Sequence, residues 1–148
     1  MATQVMSLRF APGQMERLQR LARRLGRTPS ETTALLVEES LRRSEFAFID
    51  FRDSPAGRQA YVQGKGLAVW EVMMVAQGYG LDAEKTAAHL EWPVARVQAA
   101  LSYAQAFPDE IDSALQDNQS YSMERLQRLT PQIRSFVVPA ESSDPVSA

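Results

Sequence analysis

The residues of this chain best equipped for chemistry are arginines and hydroxyls, and their spacing suits recognition more than catalysis. In Val5-Met6-Ser7-Leu8-Arg9-Phe10, alternation puts Val5, Ser7 and Arg9 on one face and Met6, Leu8 and Phe10 on the other. The first face offers a methyl group, a hydroxyl and a guanidinium to a partner; the second is apolar. Thr28-Pro29-Ser30-Glu31 reads as a capping box, with Thr28 as N-cap, proline at the first helical position and Glu31 two residues after it. Near the C-terminus, Arg125, Arg128 and Arg134 stand among Met123, Leu126, Leu129, Ile133, Phe136 and Val137.

Material for catalysis is sparse. His89 is the sole histidine and lies between Ala88 and Leu90 on a short helical pattern, which suits packing or capping better than general-base work. The carboxylate pairs Glu38/Glu39 and Asp109/Glu110 read as a solvated helix face and a helix start. No nucleophile, base and orienting group recur at a useful spacing, and no loop has the carboxylate density of a metal site. The chain has no cysteine, so disulfides and thiolate chemistry are excluded. Gly57 and Gly64-Lys65-Gly66 are separated by six residues where a phosphate loop needs four, and Gly66 stands where Ser or Thr belongs. These features predict a binding protein, not an enzyme, with neither cofactor nor metal.

The elements that must position these groups follow from periodicity. Val5–Phe10 predicts a strand with no partner strand in the next 35 residues. A lone strand leaves its N–H and C=O groups unpaired, and the economical partner is a second copy of the chain, which predicts an obligate dimer. A helix opens at Pro12 or Gly13, with Met15, Leu18, Leu21, Ala22 and Leu25 on one face and Arg17, Arg20, Arg23, Arg24 and Arg27 elsewhere; Gly26 is placed to end it. The second helix runs from the Thr28 cap to about Arg43, with Thr33, Leu36, Val37, Ser40 and Leu41 inward.

Beyond it, Phe46–Arg52 and Arg58–Val62 predict a hairpin around the turn Asp53-Ser54-Pro55-Ala56-Gly57, with Phe46 and Phe48 buried and Ile49 a further candidate for burial. Helices are predicted over Val69–Gln77, Asp82–Leu90, Val94–Ala106, Pro108–Leu115 and Ser122–Leu129. Phe48, Phe51, Trp70, Val97, Leu101 and Tyr103 are the expected core of this second unit. Met123–Leu129 repeats Met15–Leu21 residue for residue, over flanks that do not match. Ile133–Val138 is strand-like in pattern, and Ala140–Pro145 has the composition of a disordered end.

Composition permits one domain or two small ones in 148 residues, with 45% hydrophobic residues to build a core. Met1-Ala2-Thr3-Gln4 shows no secretory pattern, and apolar runs such as Val72–Ala76 are too short to span a bilayer, so a soluble cytoplasmic protein without a membrane partner is expected. The net charge of −2 conceals a division. Residues 1–45 hold eight arginines against five glutamates, for +3; residues 46–110 carry −3 and residues 111–148 carry −2. Positive charge is concentrated where the lone strand lies, which favours a polyanionic partner there.

Met6-Ser7-Leu8-Arg9-Phe10, the Met15/Leu18/Leu21/Leu25 stripe and Gly26-Arg27-Thr28-Pro29-Ser30-Glu31 resemble the ribbon-helix-helix (MetJ/Arc-type) family of bacterial repressors. The resemblance implies two strands paired antiparallel across a dimer and inserted in the DNA major groove, which admits a two-stranded ribbon. It implies that Val5, Ser7 and Arg9 face the bases, while Thr28 and Ser30 with the amides of the second helix hold a phosphate. Val5 departs from the polar residue that family members often carry there; it can touch a thymine methyl but forms no hydrogen bond.

The hairpin, Gly64–Val72, Thr86-Ala87-Ala88-His89-Leu90 and Ala99–Ala104 carry a second resemblance over residues 46–115. They look like the small hairpin-plus-helix-turn-helix domain of certain VapB-type antitoxins, a family long uncharacterised. With only Arg96, Gln98, Ser102 and Gln105 as polar reach on its second helix, the pair suits packing or dimerisation better than base readout. Together the resemblances imply a mainly α fold with short β: a dimeric ribbon-helix-helix over 1–45, a β-hairpin plus helix-turn-helix domain over 46–118, and a partly helical tail over 119–148 with a disordered end. They imply a type II antitoxin, a homodimer or higher oligomer that binds double-stranded operator DNA and neutralises a PIN-type ribonuclease toxin. Such nucleases hold a metal in a carboxylate cluster, which arginines at 125, 128 or 134 could fill while Met123, Leu126, Leu129 and Phe136 anchor the tail. The other expectation is a stand-alone repressor whose second domain oligomerises or senses a ligand.

Overall fold

The structure, a computed structural model, describes residues 2–129. Among them it is mostly helical, with six helices and one antiparallel two-stranded hairpin. No described helix is long and apolar enough to cross a membrane.

Residues 2–11 form neither helix nor strand, and no strand among the described residues lies beside them. The stretch Val5–Phe10 is thus not a strand in the single chain. Its apolar side chains lie open, with Val5 94% and Met6 81% exposed. Helix α1 (Pro12–Leu25) ends at Gly26, whose φ of 64° puts it in the left-handed region that a Cβ disfavours. Helix α2 (Pro29–Glu45) starts as the sequence reads: the Glu31 amide donates to Thr28 Oγ1 at 3.1 Å, and the Thr28 amide donates to the Glu31 carboxylate at 2.9 Å. The two helices pack on each other, yet little of their apolar surface is covered. Ala22 is the one buried hydrophobic residue of α1, and α2 buries Thr32 and Glu39 while Val37 and Leu41 stay half exposed. Of the positions expected inward, Thr33 and Leu36 are partly buried and Ser40 is exposed. The apolar stripe of α2 therefore points away from what the chain itself covers.

The first strand of the hairpin starts later than the sequence predicts. Strand β1 spans Ile49–Ser54 and β2 spans Gly57–Val62, paired from Ile49↔Val62 to Ser54↔Gly57. Pro55-Ala56 forms the turn, closed by the Ser54 hydroxyl donating to Gly57 O at 2.8 Å, with Gly57 at φ 106°. Phe46 is half-buried ahead of β1, packed edge-on against Tyr103 and Phe107. Phe48, expected in the core, is instead at the surface. Its positive φ of 60° breaks the extended run, so the alternation begins at Ile49 and puts Ile49 and Phe51 inside.

Helix α3 (Val69–Gln77) is the centre of the second unit, with Val69, Val72 and Ala76 fully buried. Helix α4 (Ala83–Leu90), capped by Asp82, and helix α5 (Val94–Ala106) follow the expected bounds, joined by Glu91-Trp92-Pro93. From α5, Val97, Ala100, Tyr103 and Ala104 close the core over the inner face of the hairpin. Trp70 and Leu101 flank that core half-buried. Helix α6 (Pro108–Leu129) is continuous, where two separate helices were expected. The polar stretch Gln116–Tyr121 contains no glycine or proline, and its residue types cost a helix only tenths of a kcal/mol each (roughly). The boundary drawn after Asn118 consequently falls inside a helix. Ile111 is buried and Leu115 and Asn118 half-buried, but every residue from Gln119 to Leu129 is exposed.

Candidate nucleic-acid interface

Val5, Ser7 and Arg9 are all exposed, on a segment whose backbone has no partner strand among the described residues. Phe10, the last apolar residue of that segment, lines a groove with Leu18 and Leu21 of α1 and Leu36 of α2, rimmed by Arg17, Arg20 and Arg24. Cationic groups thus surround an apolar trough. No ion pair among the described residues engages Arg9, Arg17, Arg20, Arg23, Arg24 or Arg27.

The N-terminus of α2 is more committed than the sequence implies. Pro29 has no N–H, the Glu31 amide is used by Thr28 Oγ1, and the Thr32 amide donates to Thr28 O at 3.0 Å. That leaves the Ser30 amide and the hydroxyls of Ser30 and Thr28 for an anion. The Glu31 carboxylate sits on the Thr28 N–H, and this backbone hydrogen bond holds its pKa below the ordinary value. Its negative charge opposes a second anion at the same helix end.

The helix pair α4–α5 presents little free positive charge for a groove: Lys85 of α4 is exposed and in no ion pair among the described residues, but the one arginine of α5 is engaged. Arg96 stacks on Phe48 at 4.1 Å and donates to Gln63 O at 2.7 Å, while Gln98, Ser102 and Gln105 are exposed. His89 pairs with Tyr79, Oη to Nδ1 at 2.8 Å, at the surface. At the far end, Met123, Arg125, Leu126, Arg128 and Leu129 are exposed on the last turns of α6; Arg134 and Phe136, with the strand-like stretch 133–138 and the end at 140–145, lie outside the described residues.

The largest departure from the sequence reading is how α2 is fastened to the second unit. Glu39 is not on a solvated face: it is 2% exposed and receives both Nε and Nη2 of Arg58, at 2.8 and 2.7 Å. Arg42 Nη1 donates to Tyr103 Oη at 2.6 Å and to Glu110 at 2.7 Å, with its guanidinium 3.7 Å above the Phe107 ring. Glu110 is therefore more than a helix start. Burial, with the Glu110 carboxylate beside it, pushes the Tyr103 phenol above its usual pKa. Arg43 reaches Asp50 at 2.9 Å. Arg42 and Arg43, counted with the cationic patch in the sequence, are thus structural. The signal for this was a spacing: Thr32, Leu36 and Glu39, at i, i+4 and i+7, share one helix face.

Comparison with protein-family models, with curated proteins and with solved structures gives no match.

Proposed function

We propose that two copies of this chain pair through residues 1–45 and bind double-stranded operator DNA, the paired Val5–Phe10 segments entering the major groove as a ribbon. The observation that carries the reading is the open alternating segment, apolar on Met6, Leu8 and Phe10, next to helices whose own apolar positions Val37 and Leu41 are half exposed. A second copy covers both at once and supplies the missing backbone partners. The six arginines without ion pairs lie in the same unit, and Ser30 with the free hydroxyl proton of Thr28 provides a modest phosphate contact. The uncovered end of α6, with Arg125 and Arg128 among Met123, Leu126 and Leu129, supports the further step to an antitoxin. An amphipathic helix of this kind docks in an apolar groove while a guanidinium reaches a carboxylate cluster such as that of a PIN-type ribonuclease.

Operator selection from randomised duplex DNA with the full chain, followed by anisotropy titration, tests the first half. Arg9→Ala is expected to lower affinity by about 1–3 kcal/mol and relax preference at one position. Thr28→Ala should weaken all duplexes alike. Equal binding by a fragment spanning 46–148 would overturn the assignment. For the second half, full inhibition of the toxin by a chain ending at Asn118 is the outcome that excludes the α6 mechanism.

A further inference from the structure

Between the hairpin turn and α6 lies a cleft of about 600 Å³, within the size range of small-molecule sites. Its walls are Trp70 from α3, Ala60 from β2 and one face of α6, where Ser113, Asp117 and Tyr121 follow one another at four-residue spacing. The charged groups that line it are of two kinds. Arg58 is neutralised by Glu39 and Asp53, and Glu110 by Arg42. Asp117 forms no ion pair among the described residues. The cleft therefore combines two aromatic rings, an apolar floor and one uncompensated carboxylate. A small molecule with a single positive charge on an apolar body satisfies all three, since an ammonium gains from both the carboxylate and the indole face.

The same cleft touches the fastening of α2. Of the three ion pairs that join α2 to the second unit, two have their second-unit partner in the cleft wall: Arg58, which grips Glu39, and Glu110, which grips Arg42. A molecule seated beside them changes the solvation and position of both grips. We propose that this cleft is an effector site for a small organic amine, and that its occupancy is transmitted to α2 through the Arg58–Glu39 and Glu110–Arg42 pairs. The site itself does not depend on the DNA or toxin reading; only its consequence does.

The test uses the full chain and phenethylamine, with phenylacetate and phenethyl alcohol as the anionic and neutral versions of the same body. Trp70 reports directly, because it lines the cleft beside Gln59, to which its indole N–H donates at 3.3 Å. The expected result is a saturable shift of the Trp70 indole resonance with phenethylamine, and binding of the other two weaker by about tenfold or more. Asp117→Asn should reduce phenethylamine to the level of the alcohol. An unmoved Trp70 resonance, or equal affinity for all three compounds, overturns the site. Hydrogen exchange of the α2 amides from Glu38 to Glu45 reads the transmission: it should change on binding in the native chain and change less in Glu110→Gln, which removes one of the two routes. Unchanged exchange in the native chain with the cleft filled overturns the coupling. None of these readouts involves nucleic acid, so a failed operator titration and a failed effector site are told apart.

Discussion

The two halves of this molecule solve the problem of a core in opposite ways. The second unit encloses its own: Ile49, Phe51, Val62, Val69, Val72, Val97 and Tyr103 meet around α3 with little or no exposure. The first unit encloses almost nothing, with Ala22, Thr32 and Glu39 as its buried residues and Met6, Leu8, Phe10, Val37 and Leu41 facing outward. A helix pair with so small a covered area cannot offset the conformational entropy of ordering it. The N-terminal unit is held by ion pairs to a neighbour with a core of its own, and under the proposed pairing a second copy supplies the cover it lacks.

The sharpest way to break the contrast is to charge the open face. Leu8→Asp with Phe10→Asp should convert the dimer to a monomer, raising its dissociation constant by a hundredfold or more (an order-of-magnitude expectation for two desolvated anchors). Sedimentation equilibrium reads this, and a native chain that is monomeric at 100 μM (roughly the upper end of an affinity worth calling specific) removes the premise. The second unit should be indifferent to that double change. It should instead lose about 2–5 kcal/mol on Ile49→Ala, measured by urea unfolding followed at Trp70 and Trp92. If Ile49→Ala also dissociates the dimer, the halves are less independent than their cores suggest.

Between these extremes lies the joint. Glu39→Gln keeps shape but removes the charge that Arg58 grips, and about 1–3 kcal/mol of stability should go with it. The loss should appear in α2 as well as in the hairpin, which hydrogen exchange can resolve. The smallest effect concerns Asp50, whose carboxylate accepts the Phe51 amide and the Arg43 guanidinium. The backbone hydrogen bond, reinforced by Arg43, holds its pKa below the ordinary carboxylate value. A lowered folded-state pKa contributes stability that is complete above the unfolded value, about 4, and disappears as pH falls through the folded one. The native chain should therefore exceed Asp50→Asn slightly at neutral pH, and the two should converge in acid. A difference that persists at pH 2 (about two units below the unfolded pKa) would assign the effect to something other than this carboxylate.

Legibility in the sequence followed the range of the interactions concerned. The caps at Thr28 and Asp82, the Gly26 terminus and the bounds of α3, α4 and α5 rest on residues within one turn of each other, and they stand where the sequence puts them. The start of the first hairpin strand does not, because Phe48 competes for the core with Ile49, and a positive φ at one residue decides between them. Glu39 read as solvent-facing and Arg42 counted only toward the positive charge of residues 1–45, because their partners, Arg58, Tyr103 and Glu110, are 19 to 68 residues away. The cleft beside α6 was illegible for a further reason: Asp117 and Asn118 look like a break between helices until α6 is continuous. The candidate residues Val5, Ser7, Arg9 and Ser30 share exposure, and the segment that carries the first three pairs with no strand among the described residues, so no ribbon forms there.

The heptapeptide Met-Glu-Arg-Leu-Gln-Arg-Leu occurs both in α1, at Met15–Leu21, and in α6, at Met123–Leu129. In α1 its Met15, Leu18 and Leu21 are partly buried; in α6 all seven residues are exposed. Intrinsic helix propensity is the same for both copies, residue by residue, so it cancels when one is compared with the other. The molecule thereby carries its own reference peptide. Whatever slows amide exchange in the first copy relative to the second is tertiary or quaternary in origin, and a partner that docks on α6 would be seen as the second copy rising to meet the first.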